Sequence, residues 1–141
     1  YLAHHTIENL GRVVMLAPPN HGSEVVDALR SVPGFRLMNG PAGMQLGTEP
    51  DSVPSTLGPA DFELGVIAGT STMNLLLSLL LPDPNDGKVS VASARLEGMK
   101  DFVTVSRTHT FIMNAPEVIA MTRQFLASGQ FASPASDIRP Q

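Results

Sequence analysis

The sequence predicts an α/β fold, a parallel sheet of about three strands with helices packed around it. Two observations carry the prediction. Three short runs are nearly continuous in apolar residues rather than alternating: RVVMLA at 12–17, the stretch 63–68 within DFELGVIAGT, and DFVTV at 101–105. That pattern suits strands buried on both faces of a helix-covered sheet. Helix-like segments fall between and after these runs, and such alternation implies parallel pairing through right-handed crossovers.

Taken in order, residues 1–10 read as a helix stopped by Gly11. The first strand follows and is broken by PPNH. GSEVVDALRSV restarts a helix, with Ser23 as its N-cap and Glu24 in the first turn. Residues 33–60, rich in Pro, Gly and Ser, read as a long irregular excursion, a kind of loop that is usually functional or mobile. After the second strand, STMNLLLSLLLP is ambiguous between a short helix and a packed loop, and PDPNDGK is a turn. VSVASARLEG gives a short helix before the third strand. NAPEVIAMTRQFLASG then carries a capping box, Asn114 as cap and Glu117 three residues on. Val118, Ile119, Thr122, Phe125 and Leu126 share one face of that helix, and Gly129 ends it. Residues 129–141 read as a flexible tail.

Composition bounds the function. With 43 % apolar and 16 % charged residues over 141 positions, the chain is one globular unit. A net charge of −4 with no basic patch argues against a nucleic-acid partner. Cysteine is absent, which removes disulfides and thiol chemistry. Four histidines without tight spacing do not make a structural zinc site. The longest apolar run, at 75–82, falls short of the roughly 20 residues a membrane helix needs, so no integral membrane segment is expected.

Three loops leave the carboxyl ends of the predicted strands, the edge where α/β sheets bind ligands. One carries Asp86 in an Asn-Asp-Gly turn, and the last carries His109 just before the final helix. A catalytic histidine needs a carboxylate on its Nδ1–H, to hold the tautomer and stabilise the imidazolium. By spacing alone, the pair reads first as a favourable turn and a loop histidine.

GRVVMLAPPNHGSEVVD, PNDGKVSVASARLEG and THTFIMNAPEVIAMTRQFL together resemble the C-terminal portion of the α/β-hydrolase superfamily, in its lipase and esterase branch. The resemblance covers most of residues 1–128. It implies Asp86 as triad acid and His109 as general base, with Asp83 a weaker acid because no glycine follows it. It also implies an ester or lipid substrate, no metal or organic cofactor, and a lid or cap at 33–60.

The nucleophile elbow of that family, Gly-x-Ser-x-Gly, does not occur in the sequence. Ser71, in GTSTM, comes nearest, but Met73 replaces the second glycine. The 15 residues from Ser71 to Asp86 are also about half of a βαβ unit. His21 reads as a loop residue, and His4 and His5 as surface residues near a helix end. The expectation is therefore a serine and oxyanion donor upstream of Tyr1, with YLAHH as the tail of the helix behind the elbow. On this reading the chain supplies acid and base to a serine carboxylic ester hydrolase and is inactive alone. Three strands would also leave a sheet edge bare, which invites self-association. The rival is a non-catalytic α/β binding module or pseudoenzyme, which an upstream sequence lacking Gly-x-Ser-x-Gly would favour.

Overall fold

Three strands, β1 (Val13–Leu16), β2 (Leu64–Gly69) and β3 (Asp101–Val105), form one parallel sheet in the order β1-β2-β3. The computed structural model describes residues 1–73 and 79–131. Val13 pairs with Leu64, and Gly65 with Asp101. All six β2 residues are buried, as a continuous apolar run between two parallel neighbours requires. β1 and β3 are half-buried over most of their length, and neither has a second strand partner among the described residues.

Side chains alternate across the sheet. Leu64, Val66 and Ala68 join Val13, Met15 and Phe102 on one face, with Val89 and Ala94 packed against them. Ile67 and Val105 join Val14, Leu16 and Val103 on the other, under Val118 and Phe125. Leu64, Val66 and Ile67 are fully buried, each contributing about 1.5–3 kcal/mol of hydrophobic stabilisation. Gly65 interrupts β2 because a Cβ there would come within 2.8 Å of the Phe125 and Phe131 rings.

Among the described residues the helices are α1 (Glu24–Leu29), α2 (Phe35–Gly43), α3 (Val53–Thr56), α4 (Val91–Ala94) and α5 (Pro116–Ser128); α4 packs on one face of the sheet and α5 on the other. The segment 33–60 is thus not irregular throughout. Gly40 (φ 65°, ψ 179°) and Pro41 kink α2, and these are the residues that hide the helix in the sequence. Ser52 caps α3 by accepting from Ser55 N.

Residues 1–10 form turns, not the predicted helix. Almost all are exposed, and so short a helix is marginal without a face to pack. The Tyr1 ring stacks on His5 instead, with centroids 4.1 Å apart. The predicted capping box is not formed either. Asn114 ends a 3-10 turn (Ile112–Asn114), Ala115 takes the N-cap position, and Glu117 pairs with Arg107. The inward face of α5 is Val118, Met121 and Phe125, while Ile119 and Leu126 stay partly exposed.

Gly129, at φ 78°, stops α5 as predicted. Arg12 Nη1 donates to Leu126 O and Ala127 O at 3.0 and 3.1 Å, satisfying the carbonyls a helix end leaves open. The packed chain continues to Phe131, which is buried against Phe125 and donates its N–H to Asp101 Oδ2 at 2.7 Å. The rest of the predicted tail, 132–141, and residues 74–78, which take in the first half of the apolar run at 75–82, lie outside the described residues.

Candidate active site

The loops after all three strands meet at the carboxyl end of the sheet. β1 leaves through Ala17, whose φ of 46° turns the chain sharply into PPNHGS. β2 ends at Gly69, where a Cβ would lie 2.5 Å from Arg107 O and 2.8 Å from Asp86 Cβ. Only a residue without a side chain lets the Asp86 turn and the β3 exit close over the end of β2.

The turn itself is tightly specified. Asn85 Oδ1 accepts from Gly87 N at 3.0 Å, and Asn85 Nδ2 donates to Asp83 Oδ1 at 2.8 Å. Gly87 (φ 90°) has a conformation that favours glycine, and a Cβ there would come within 2.6 Å of Thr72 Oγ1. Asp86 is 3 % exposed. Its Oδ1 accepts from Lys88 N at 3.0 Å and Val89 N at 2.8 Å.

Asp86 Oδ2 lies 2.9 Å from His109 Nδ1, and His109 N donates to Asp86 O at 3.1 Å. Two contacts, one side-chain and one backbone, therefore fix the ring against the acid. A carboxylate can only accept, so Nδ1 carries the hydrogen, and the lone pair of a neutral ring is then at Nε2. The His109 side chain is 30 % exposed and lines a cleft of about 160 Å³ with Thr72, Met73, Gly87, Lys88, Thr108 and Thr110. An imidazole so held can take a proton at Nε2 while the buried carboxylate stabilises the resulting cation.

The other sequence candidates sit elsewhere. The Ser71 hydroxyl bonds Ser106 Oγ at 2.8 Å, tying two exit loops together. Asp83 supports Asn85. His21 is exposed and donates its backbone N–H to Ser93 O. His4 and His5 are exposed in the N-terminal turns, remote in sequence from any helix end. Ser23 makes no side-chain cap on α1; its hydroxyl donates to Lys88 O at 3.0 Å. Near the site, the hydrogen bond from Arg107 lowers the pKa of Glu117, and the ion pair engages Arg107 just past the β3 exit. Among the described residues, no three His, Cys, Asp or Glu side chains gather as a metal site, and no helix is long and apolar enough to cross a membrane.

No protein-family model matches the sequence, and no curated protein matches it. Solved structures do. The chain is similar to Bacillus licheniformis lipase BlEst2 in its mature form, with a TM-score of 0.58 and 18 % identity. That match covers 85 % of this chain and 55 % of the lipase. The propeptide form of the same lipase gives a TM-score of 0.57 and 19 % identity over 93 % of this chain and 32 % of that one. The chain thus spans about half the length of the mature lipase. At this identity the likeness is one of fold, a partial α/β sheet with flanking helices.

Proposed function

We propose that this chain supplies the acid and base of a serine carboxylic ester hydrolase, with Asp86 as acid and His109 as base. The carrying observation is the 2.9 Å contact between His109 Nδ1 and the buried Asp86 Oδ2, at the carboxyl edge of a parallel sheet. The fold shared with a lipase supports the same reading.

A serine outside these residues provides the nucleophile. His109 Nε2 takes the hydroxyl proton as Oγ attacks the ester carbonyl, then gives it to the departing alkoxide as the acyl-enzyme forms. Water repeats the sequence and releases the acid, restoring the serine. Asp86 stays ionised throughout and holds the ring. Met73 in the cleft wall, with Phe111 and Met113 exposed beyond His109, favours an acyl or lipid substrate. Residues 1–128 act as one portion of the larger hydrolase domain, and 33–60 as its cap.

The test is His109→Ala in the full-length protein, assayed on p-nitrophenyl esters. Turnover should fall about 10⁴-fold; undiminished turnover overturns the reading. The 141 residues alone should not react with a fluorophosphonate. They should also self-associate through the open edge of β1, which light scattering would detect.

A further inference from the structure

Ser23 stands where a helix cap belongs, and it does not cap. Its backbone is extended (φ −132°, ψ 120°), the conformation of an N-cap, yet its side chain accepts nothing from α1. A Ser cap is worth roughly 1 kcal/mol of helix stability. The hydroxyl of this residue, 7 % exposed, points instead to the Lys88 carbonyl, 3.0 Å away.

That carbonyl is half of a functional unit. Lys88 C=O and Val89 N–H are the two ends of one planar peptide, so fixing the first directs the second. Val89 N donates to Asp86 Oδ1 at 2.8 Å, and Asp86 Oδ2 takes His109 Nδ1 at 2.9 Å. The result is a line of hydrogen bonds from Ser23 through a peptide and a carboxylate to the imidazole. Bonds in such a series polarise one another, so donation into the carbonyl strengthens the N–H that faces the acid.

Ser23 is itself anchored. Its N–H donates to Leu46 O at 2.8 Å, and the preceding Gly22 carbonyl accepts from Ser93 Oγ. Gly22 (φ 82°) is packed so closely that a Cβ would lie 2.1 Å from Gly47 O. The loop after β1 is therefore built around this hydroxyl's position. We infer that Ser23 is a positioning residue for the Asp86–His109 pair, acting through the Lys88–Val89 peptide. Its effect on turnover rests on the proposed hydrolase reading; its effect on the His109 ring does not.

The experiment uses the full-length protein with Ser23→Ala and the near-isosteric pair Ser23→Thr and Ser23→Val. Nitrogen-15 NMR reads the His109 tautomer, and p-nitrophenyl butyrate hydrolysis gives kcat and KM. In the Ala and Val variants the Nδ1–H form should lose ground to the Nε2–H form. Their kcat should fall about tenfold with KM unchanged within twofold. Thr should keep the wild-type ring signal and at least half of kcat. An unchanged tautomer in either folded hydroxyl-free variant overturns the inference. So does equal loss in Thr and Val, since bulk rather than the hydroxyl would then decide. If Ala and Val both fail to fold while Thr folds, the hydroxyl is structural and the inference also falls. If the wild type hydrolyses no ester, the hydrolase reading fails and the ring signal alone still decides the role of Ser23.

Discussion

The two ends of this sheet hold a carboxylate in opposite ways. At the amino end, Glu63 lies exposed between Arg12, 2.7 Å from its Oε2, and Lys100, which bonds its Oε1. At the carboxyl end, Asp86 is buried and meets one imidazole and two backbone N–H groups. The first arrangement is made of side chains alone, around a carboxylate open to water, where salt screens the attraction. The second is made largely of backbone, which cannot swing away. The difference separates a clasp that ties the strand starts and the α5 terminus together from a carboxylate aimed at one ring nitrogen.

On the proposed hydrolase reading, the largest test of this contrast is Asp86→Asn in the full-length protein. It should keep the fold and lower kcat about 10⁴-fold, because an amide presents the wrong partner to Nδ1–H. Circular dichroism and ester turnover together check it. A comparable loss from Arg12→Ala would break the comparison.

Next in size is Gly69→Ala. The added methyl meets Arg107 O and Asp86 Cβ, and overpacking of this kind costs about 1–3 kcal/mol. A urea melt should show that loss, and turnover should fall with it because Asp86 is displaced. Arg12→Ala should then cost about 1 kcal/mol through the uncovered carbonyls of Leu126 and Ala127. Turnover should be spared.

The smallest effect belongs to Glu63→Gln. The hydrogen bond from Lys100, above all, lowers the carboxyl pKa from its ordinary 4.5. The folded protein therefore binds fewer protons here than the unfolded chain. The stabilisation is complete above pH 4.5 and is lost as pH falls through the lowered value. Thermal melts from pH 7 to 3 should show a shallower acid decline in the variant, and added salt should shrink the difference.

The strands were legible because a strand buried in a parallel sheet cannot alternate, and β2 obeys that over its whole length. The meeting of Asp86 and His109 was expected from the resemblance, whose motifs pair an Asp-Gly turn with a histidine ahead of the last helix; spacing alone did not single them out. What sequence missed lay in competition between partners. Ser23 and Glu117 are good cap residues by type, but Lys88 O, 65 residues on, and Arg107, ten residues back, claim their side chains. The helix α2 was hidden by Gly40 and Pro41, whose kink breaks the period. Phe131 looked like tail because its partner Phe125 is visible only once α5 is folded back on the sheet. No local pattern reports that Gly69 is small because another loop needs the space.

Asp86 and His109 stand 23 residues apart, with only α4, its flanks and β3 between them. The proposed acid and base therefore travel on one short stretch of chain and could be inherited, or exchanged between scaffolds, as a single cassette. Its fit to a new host would turn on few outside positions, chiefly a glycine at the end of the neighbouring strand and a hydroxyl facing Lys88. In recombination experiments on proteins of this architecture, crossover points flanking the whole stretch should yield more folded chimeras than points cut within it.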